Sequence, residues 1–251
     1  MMATTSITLD ETPLVHTLLA YADDALVLGH GVSEWTGHAP LLEEELALAN
    51  IALDLIGQAR ALYQAAGELT DRSEDELAYL RDPPAFRNAL IMELPNGDFA
   101  FTIARLFLVS VATDQRWRGA FEHPALAAVA EKARKETQYH IRHAAEWLVR
   151  LGDGTPESHL RAQAAIDALW PYTGEMTAGV VDDPNGGSSA DAATRAAWLR
   201  AVTPVLARAT LRQPNDGWMQ SGGRSGRHTE HLGHMLAEMQ TLQRTFPGAT
   251  W

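Results

Sequence analysis

The sequence contains no cysteine. That absence excludes disulfide scaffolds, cysteine-ligated zinc fingers, iron–sulfur clusters and thiol nucleophiles together. Any metal would have to be held by oxygen and imidazole. Long apolar runs are missing as well: no stretch reaches the roughly twenty residues that a transmembrane helix needs. The opening MMATTSITLDETPLVHTLL carries acids where a signal peptide carries bases, so a cytoplasmic protein without membrane association is expected. Cations are in the minority, 20 Lys and Arg against 32 Asp and Glu for a net charge of −12. This argues against nucleic acid and against an anionic membrane surface as partners. A Gly-x-Ser-x-Gly nucleophile elbow is also absent.

What is present is a chain of 251 residues, 46% hydrophobic, long enough for a substantial core. Val, Ile and Thr do not alternate with period two over any sustained stretch, so the chain reads as all-α. Leu14, Leu18, Tyr21, Ala25, Leu28, Val32 and Trp35 step by four and three, the stripe of a first helix that stops near Gly37-His38-Ala39-Pro40. A second helix is expected over 41–66, with Glu43, Glu44 and Glu45 complementing its dipole. Its apolar positions, Leu46 and Leu53 among them, cover more than one face, which predicts a central helix. An acidic, Pro-punctuated connection over 67–97 leads to a third helix over 98–120. A fourth starts at Pro124 and ends before Gly152-Asp153-Gly154. Two closely joined pairs with a longer crossover, each helix about 33–42 Å long, have the dimensions of a four-helix bundle. Further helices are expected over 157–177, over 190–209 with Pro204 kinking or ending it, and from 228 to 244. Loops are expected at 182–189 and at Gly222-Gly223-Arg224-Ser225-Gly226. The chain is taken as one domain, a core bundle over 13–151 and C-terminal helices over 157–245.

Bundles joined in this way house di-iron carboxylate sites, which need Glu from two helices and Glu-x-x-His from the other two. The second helix has no such spacing and offers the stripe Asn50, Asp54, Gln58 instead; in the fourth, Glu136 lies four residues before His140. The apolar register turns Thr137 and His140 inward and leaves Glu136 at the edge. A lone imidazole without a ligand cluster reads as a buried, hydrogen-bonded core histidine. The segment His228-Thr229-Glu230-His231-Leu232-Gly233-His234 continues to Glu238 and is denser in donors. It lacks the glutamate slot of a His-Glu-x-x-His site, so ordinary helix-surface pairing is the simpler reading. The Gly222–Gly226 run has no P-loop ending and no strand before it, and reads as a flexible connection rather than a phosphate cradle.

Three stretches resemble one family: Leu48-Ala49-Asn50-Ile51-Ala52-Leu53-Asp54-Leu55-Ile56-Gly57-Gln58-Ala59-Arg60; Pro95-Asn96-Gly97-Asp98-Phe99-Ala100; and the tail from His228 through Gln240. They are similar to the C subunits of bacterial phenylacetyl-CoA epoxidase, the ring monooxygenase of phenylacetate breakdown, over about 18–251. The resemblance implies a ferritin-like fold and a supporting role beside a homologous A subunit that carries the di-iron centre. Further subunits, a reductase included, are implied with it. Laid on this chain, the A-subunit ligand pattern falls on Ala25, on Leu55 and Gln58, near Leu108, and on Thr137 and His140, so only His140 keeps a ligand's chemistry. The expectation is a non-catalytic structural subunit with no catalytic, cofactor or metal residues of its own. Glu230, His231 and His234 are candidate interface residues, spaced to bond either the chain's own bundle or a partner. The isolated chain is expected to self-associate. The competing expectation is an autonomous metal-dependent oxidoreductase using His140 with Glu136 or Asp54, or the C-terminal Glu/His cluster. A small-molecule binding module would require a sizeable pocket.

Overall fold

The computed structural model describes residues 6–119, 123–180 and 188–249. Among them the architecture is entirely helical, without a strand. Helix α1 (Pro13–Ser33) begins with Pro at its first position, and the Thr12 hydroxyl accepts from Val15 N–H. Helix α2 (Leu42–Thr70) runs back along α1 and ends where Asp71 adopts a left-handed φ of 54°. The crossover holds a short α3 (Glu74–Tyr79), closed by a Ser73–Glu76 capping box. Two 3₁₀ turns follow it, Pro83–Ala85 and Leu90–Met92. Helix α4 (Phe99–Trp117) is capped by Asp98, and α5 (Pro124–Gly152) opens on Pro124 as expected. The bundle is closed by α1 on α2, α4 on α5 and α2 on α5, the ferritin-like arrangement. The first contact is close at Gly29, where a Cβ would stand 3.0 Å from Leu55 Cβ and 3.3 Å from the Ala52 carbonyl oxygen.

Beyond the bundle, α6 (Pro156–Leu169) ends earlier than its apolar pattern suggested. Pro171 has no N–H with which to continue the ladder, so the chain passes through a 3₁₀ turn, Trp170–Tyr172, into the single turn α7 (Gly174–Thr177). Most of the loop expected at 182–189 lies outside the described residues, but Ser188 and Ser189 already belong to α8 (Ser188–Arg208). Pro204 does not end α8; the stop comes at Thr210, whose φ of 57° lets Leu211 N–H reach back to the Leu206 carbonyl. The last segment is two helices, α9 (Glu230–Met239) and α10 (Thr241–Thr245). Helices α6 and α8 pack on α4 and α5. Trp198 of α8 donates from Nε1 to the Leu108 carbonyl at 3.0 Å, and Trp117, Trp170 and Trp198 are buried, whereas Trp218 is exposed.

Two expectations need correction. Helix α2 is not enclosed: its inner face is buried, but Leu42, Leu46 and Leu53 are 67%, 58% and 66% exposed. The glycine-rich run is not a flexible connection. It forms a 3₁₀ turn (Gly223–Ser225) seated against the crossover, where a Cβ on Gly223 would fall 2.2 Å from the Asn88 carbonyl oxygen.

Candidate functional site

The positions onto which a di-iron ligand set would fall are all inside. Ala25, Leu55, Gln58, Leu108, Thr137 and His140 are each buried. The fourth-helix register read from the apolar pattern is therefore the observed one, with Thr137 and His140 inward and Glu136 half-buried at the edge. The polar groups there pair across the α2–α5 seam. His140 Nε2 lies 3.0 Å from Asp54 Oδ2, and Gln58 Nε2 donates to Glu136 Oε2 at 2.9 Å. One turn further along, His143 Nε2 is 3.2 Å from Glu44 Oε2. Burial lowers the pKa of His140, and the Asp54 carboxylate offsets only part of that; burial also lowers His143. Among the described residues the buried Thr137 hydroxyl has no hydrogen-bond partner.

This donor set does not fit a di-iron group. Ala25, Leu55 and Leu108 offer no side-chain donor atom, the Gln58 amide is committed to Glu136, and the His140 Nε2 is engaged by Asp54. Among the described residues no cluster of three or more His, Asp or Glu could hold a metal ion. The arrangement can relay a hydrogen bond between two helices and fill space; no redox step follows from it.

The C-terminal cluster divides differently from its sequence reading. Glu230 and His234 are exposed and His231 is half-buried, and no hydrogen bond ties any of the three to the described bundle. His231 and His234 line a shallow cavity of about 240 Å³ with Glu34, Asn96 and Glu238. The residue that joins the segment to the crossover is His228, placed just before the helix. Its Nδ1 is 2.7 Å from Glu93 Oε2 and its Nε2 is 3.0 Å from the Phe86 carbonyl oxygen. Glu93 Oε1 also accepts from Thr229 N–H at 2.5 Å.

Sequence reasoning missed a second group, the buried carboxylates of α1. Asp23 accepts from both terminal nitrogens of Arg81, from Tyr63 Oη at 2.5 Å and from Arg87 N–H at 2.7 Å. Asp24 accepts from Arg224 at 2.7 and 2.8 Å and from Ala89 N–H at 2.9 Å, with Arg116 at 3.1 Å. Burial alone would raise the Asp24 pKa; Arg224 and Arg116 hold it below the usual carboxylate value. The signal was available: two adjacent acids in an otherwise apolar helix must be paired if they turn inward. Their partners lie 58 and 200 residues away, and no local pattern reveals them.

The Pro95–Ala100 stretch is likewise structural. Asn96 Nδ2 donates to the Gly31 carbonyl at 2.7 Å and to Glu34 at 2.8 Å, and buried Arg105 donates to the Leu94 carbonyl and to Asn96 Oδ1. Burial pushes the Arg105 guanidinium down to about 10. Trp35 donates to Thr102 Oγ1 at 3.0 Å and stacks edge-on with Phe99, which does the same with Trp147. A surface hollow of about 700 Å³ is lined by Glu11, His16, Arg87, Glu175 and Arg224. Most of its charges are spent internally: Arg87 and His16 on Glu11, Arg224 on Asp24, and Glu175 on the Leu90 and Gly222 N–H groups. It offers little as a ligand site.

A family model described as "Phenylacetic acid catabolic protein" matches residues 2–251. The C subunit of the 1,2-phenylacetyl-CoA epoxidase of Escherichia coli (strain K12) is 46% identical over 241 residues, covering 93% of this chain and 97% of that protein.

Proposed function

The chain belongs to the phenylacetic acid catabolic protein family, and we propose that it is the C-type subunit of a phenylacetyl-CoA epoxidase. In this reading it is cytoplasmic and contributes structure rather than chemistry. The di-iron centre belongs to a homologous A subunit, electrons arrive through a reductase, and this chain holds no cofactor. The observation that carries the structural role is the content of the bundle's interior. Alanine, leucine and threonine stand at Ala25, Leu55, Leu108 and Thr137, and the one surviving imidazole is bound to Asp54. Removing a single carboxylate from a metal cage would leave the rest buried and uncompensated, at several kcal/mol. Their joint replacement by alanine, leucine and threonine avoids that cost.

Iron analysis of the chain purified alone with ferrous iron tests the role, together with epoxidase assays of the A subunit with and without this chain. No stoichiometric iron in the isolated chain, and turnover that depends on its presence, are expected. Stoichiometric iron bound by this chain alone would overturn the reading in favour of an autonomous metalloenzyme.

A further inference from the structure

The outer face of α2 is apolar and uncovered. Leu48, Ile51, Leu55 and Leu62 face the core, while Leu42, Leu46 and Leu53 stand in solvent with half-buried Ala49 between them. At about 100° per residue, positions 42, 46, 49, 53 and 57 share one stripe. Its three leucines, with Leu41 at the head, leave on the order of 400 Å² of apolar surface, the scale of a functional patch. Large and small residues take turns along it. Leu46 and Leu53 protrude, whereas Ala49 is short and a Cβ built on Gly57 would meet nothing within 4 Å. Past Gly57 the stripe opens into a groove of about 190 Å³ between α2 and α5, lined by Ala61, Ala128, Val129 and Lys132. A second copy laid antiparallel fits this pattern to itself. Placing Leu53 of one copy on Ala49 of the other fixes the register. Leu46 then reaches the level of Ile56 and Gly57 at the mouth of the groove, and a two-fold axis repeats both contacts. Each protruding leucine meets a small residue.

The charges beside the stripe pair in the same register. Glu43 and Ala61 stand about five turns apart on one flank of α2, the flank that meets α5 at the groove. The two-fold axis keeps that flank on the same side in both copies. Glu43 therefore arrives at the level of residues 59–60, beside Lys132 of the second copy. Among the described residues Lys132 reaches only Glu136, at 3.5 Å and with its side chain 75% exposed, and no ion pair engages Glu43 or Glu45. Glu45, on the opposite flank, comes to the level of Gly57, one turn from Arg60, which it would share with Glu74 at 2.7 Å. Residues flanking an apolar seam decide which helix is accepted. The net charge of −12 on each copy opposes association, but it is spread over the surface and screened beyond about 8 Å at physiological ionic strength. Two such stripes bury on the order of 800 Å² of apolar surface, less than a standard interface, so the dimer is weak and concentration-dependent. We infer that the Leu42–Leu46–Leu53 face of α2 joins two copies of this chain antiparallel about a two-fold axis, with Glu43 of each copy on Lys132 of the other. The inference needs only this chain and stands apart from the proposed function.

The test uses the full chain alone. Sedimentation velocity over a concentration series should show a reversible monomer–dimer equilibrium. Leu46→Glu/Leu53→Glu, at solvent-exposed positions, should keep the circular dichroism spectrum and weaken dimerisation by at least about tenfold, the loss expected from central anchors. Glu43→Lys and Lys132→Glu should each weaken it, and the two together should recover it. Within one chain Glu43 lies about 21–27 Å along α2 from the Gly57–Ala61 segment beside Lys132, so recovery reports contact between copies. The sequence has no cysteine, so Ala49→Cys/Leu53→Cys should cross-link two copies on mild oxidation. Leu42→Cys, which comes opposite Arg60, should not. A chain that stays monomeric at about 500 μM overturns the inference, as does a dimer that the leucine variant leaves intact. A dimer that the leucine variant breaks, but that shows neither charge recovery nor the cross-link, overturns the antiparallel register. A monomeric wild type whose binding to an A-type subunit is abolished by the leucine variant would assign the face to that subunit instead.

Discussion

His228 and Glu93 are joined at 2.7 Å across 135 residues of sequence, a contact that ties the C-terminal segment to the crossover. The Phe86 carbonyl on the other ring nitrogen can only accept, so Nε2 carries a proton. Glu93 also accepts from Asn88 Nδ2 and Thr229 N–H. Burial alone would lower the His228 pKa; the bond to Glu93 more than offsets this, and the pKa lies above 6.5.

A stability change with pH follows. A folded pKa above the unfolded one means that the imidazolium stabilises fully below pH 6.5. The contribution is lost as the pH rises through the folded pKa. His228→Gln is expected to cost about 1–3 kcal/mol at acidic pH, the usual effect of opening a buried polar contact, and progressively less at alkaline pH. Denaturant unfolding of both forms across the neutral range measures it; a constant difference would show that the latch is not ionic.

His140 should behave with the opposite sign. Burial holds its folded pKa below 6.5, so the fold favours the neutral ring. That stability is present above pH 6.5 and lost as the pH falls through the folded pKa. His140→Gln is expected to leave epoxidase turnover of the assembled complex intact while lowering stability by about 1–3 kcal/mol near neutrality. The gap to wild type should narrow on acidification. Lost turnover in a complex with full iron would return His140 to the chemistry.

Arg81→Met tests the buried pair with Asp23, in which both side chains are fully enclosed. Stranding Asp23 should destabilise by about 3–5 kcal/mol, with Asp23→Asn in the same chain recovering part of it. Additive losses in thermal unfolding would contradict the coupling.

Glu230→Ala/His231→Ala should leave the fold and its melting temperature as they are, since neither side chain is bonded to the described bundle. Any effect is expected on assembly alone, with iron per A subunit unchanged. Size-exclusion chromatography with iron quantification reads both. A variant that assembles normally but loses iron would make α9 a chemical site.

The four long helices were legible because their information is local. The 3–4 stepping of Leu14 to Trp35, the Pro at 13 and 124, and the glutamates at 43–45 each act within a turn or two of where they stand. The inward register of Thr137 and His140 was legible for the same reason. The early end of α6 was misjudged because Pro171 removes one donor within a continuing apolar pattern. The role of His228 was not legible because its enclosed side chain differs from exposed His234 only in what lies opposite.

The sequence alone therefore determined the helical class, the pairing of the bundle helices and the inward register of Thr137 and His140, because these depend on periodicity and on side-chain chemistry within a few turns. Only the tertiary structure decided that Asp23 and Asp24 find Arg81 and Arg224, that His140 is bound to Asp54, and that one face of α2 is left open. Apolar periodicity shows that a helix face seeks burial. Whether its own chain or another supplies the cover depends on how many neighbours the fold can bring to it, and that is settled only when the helices pack.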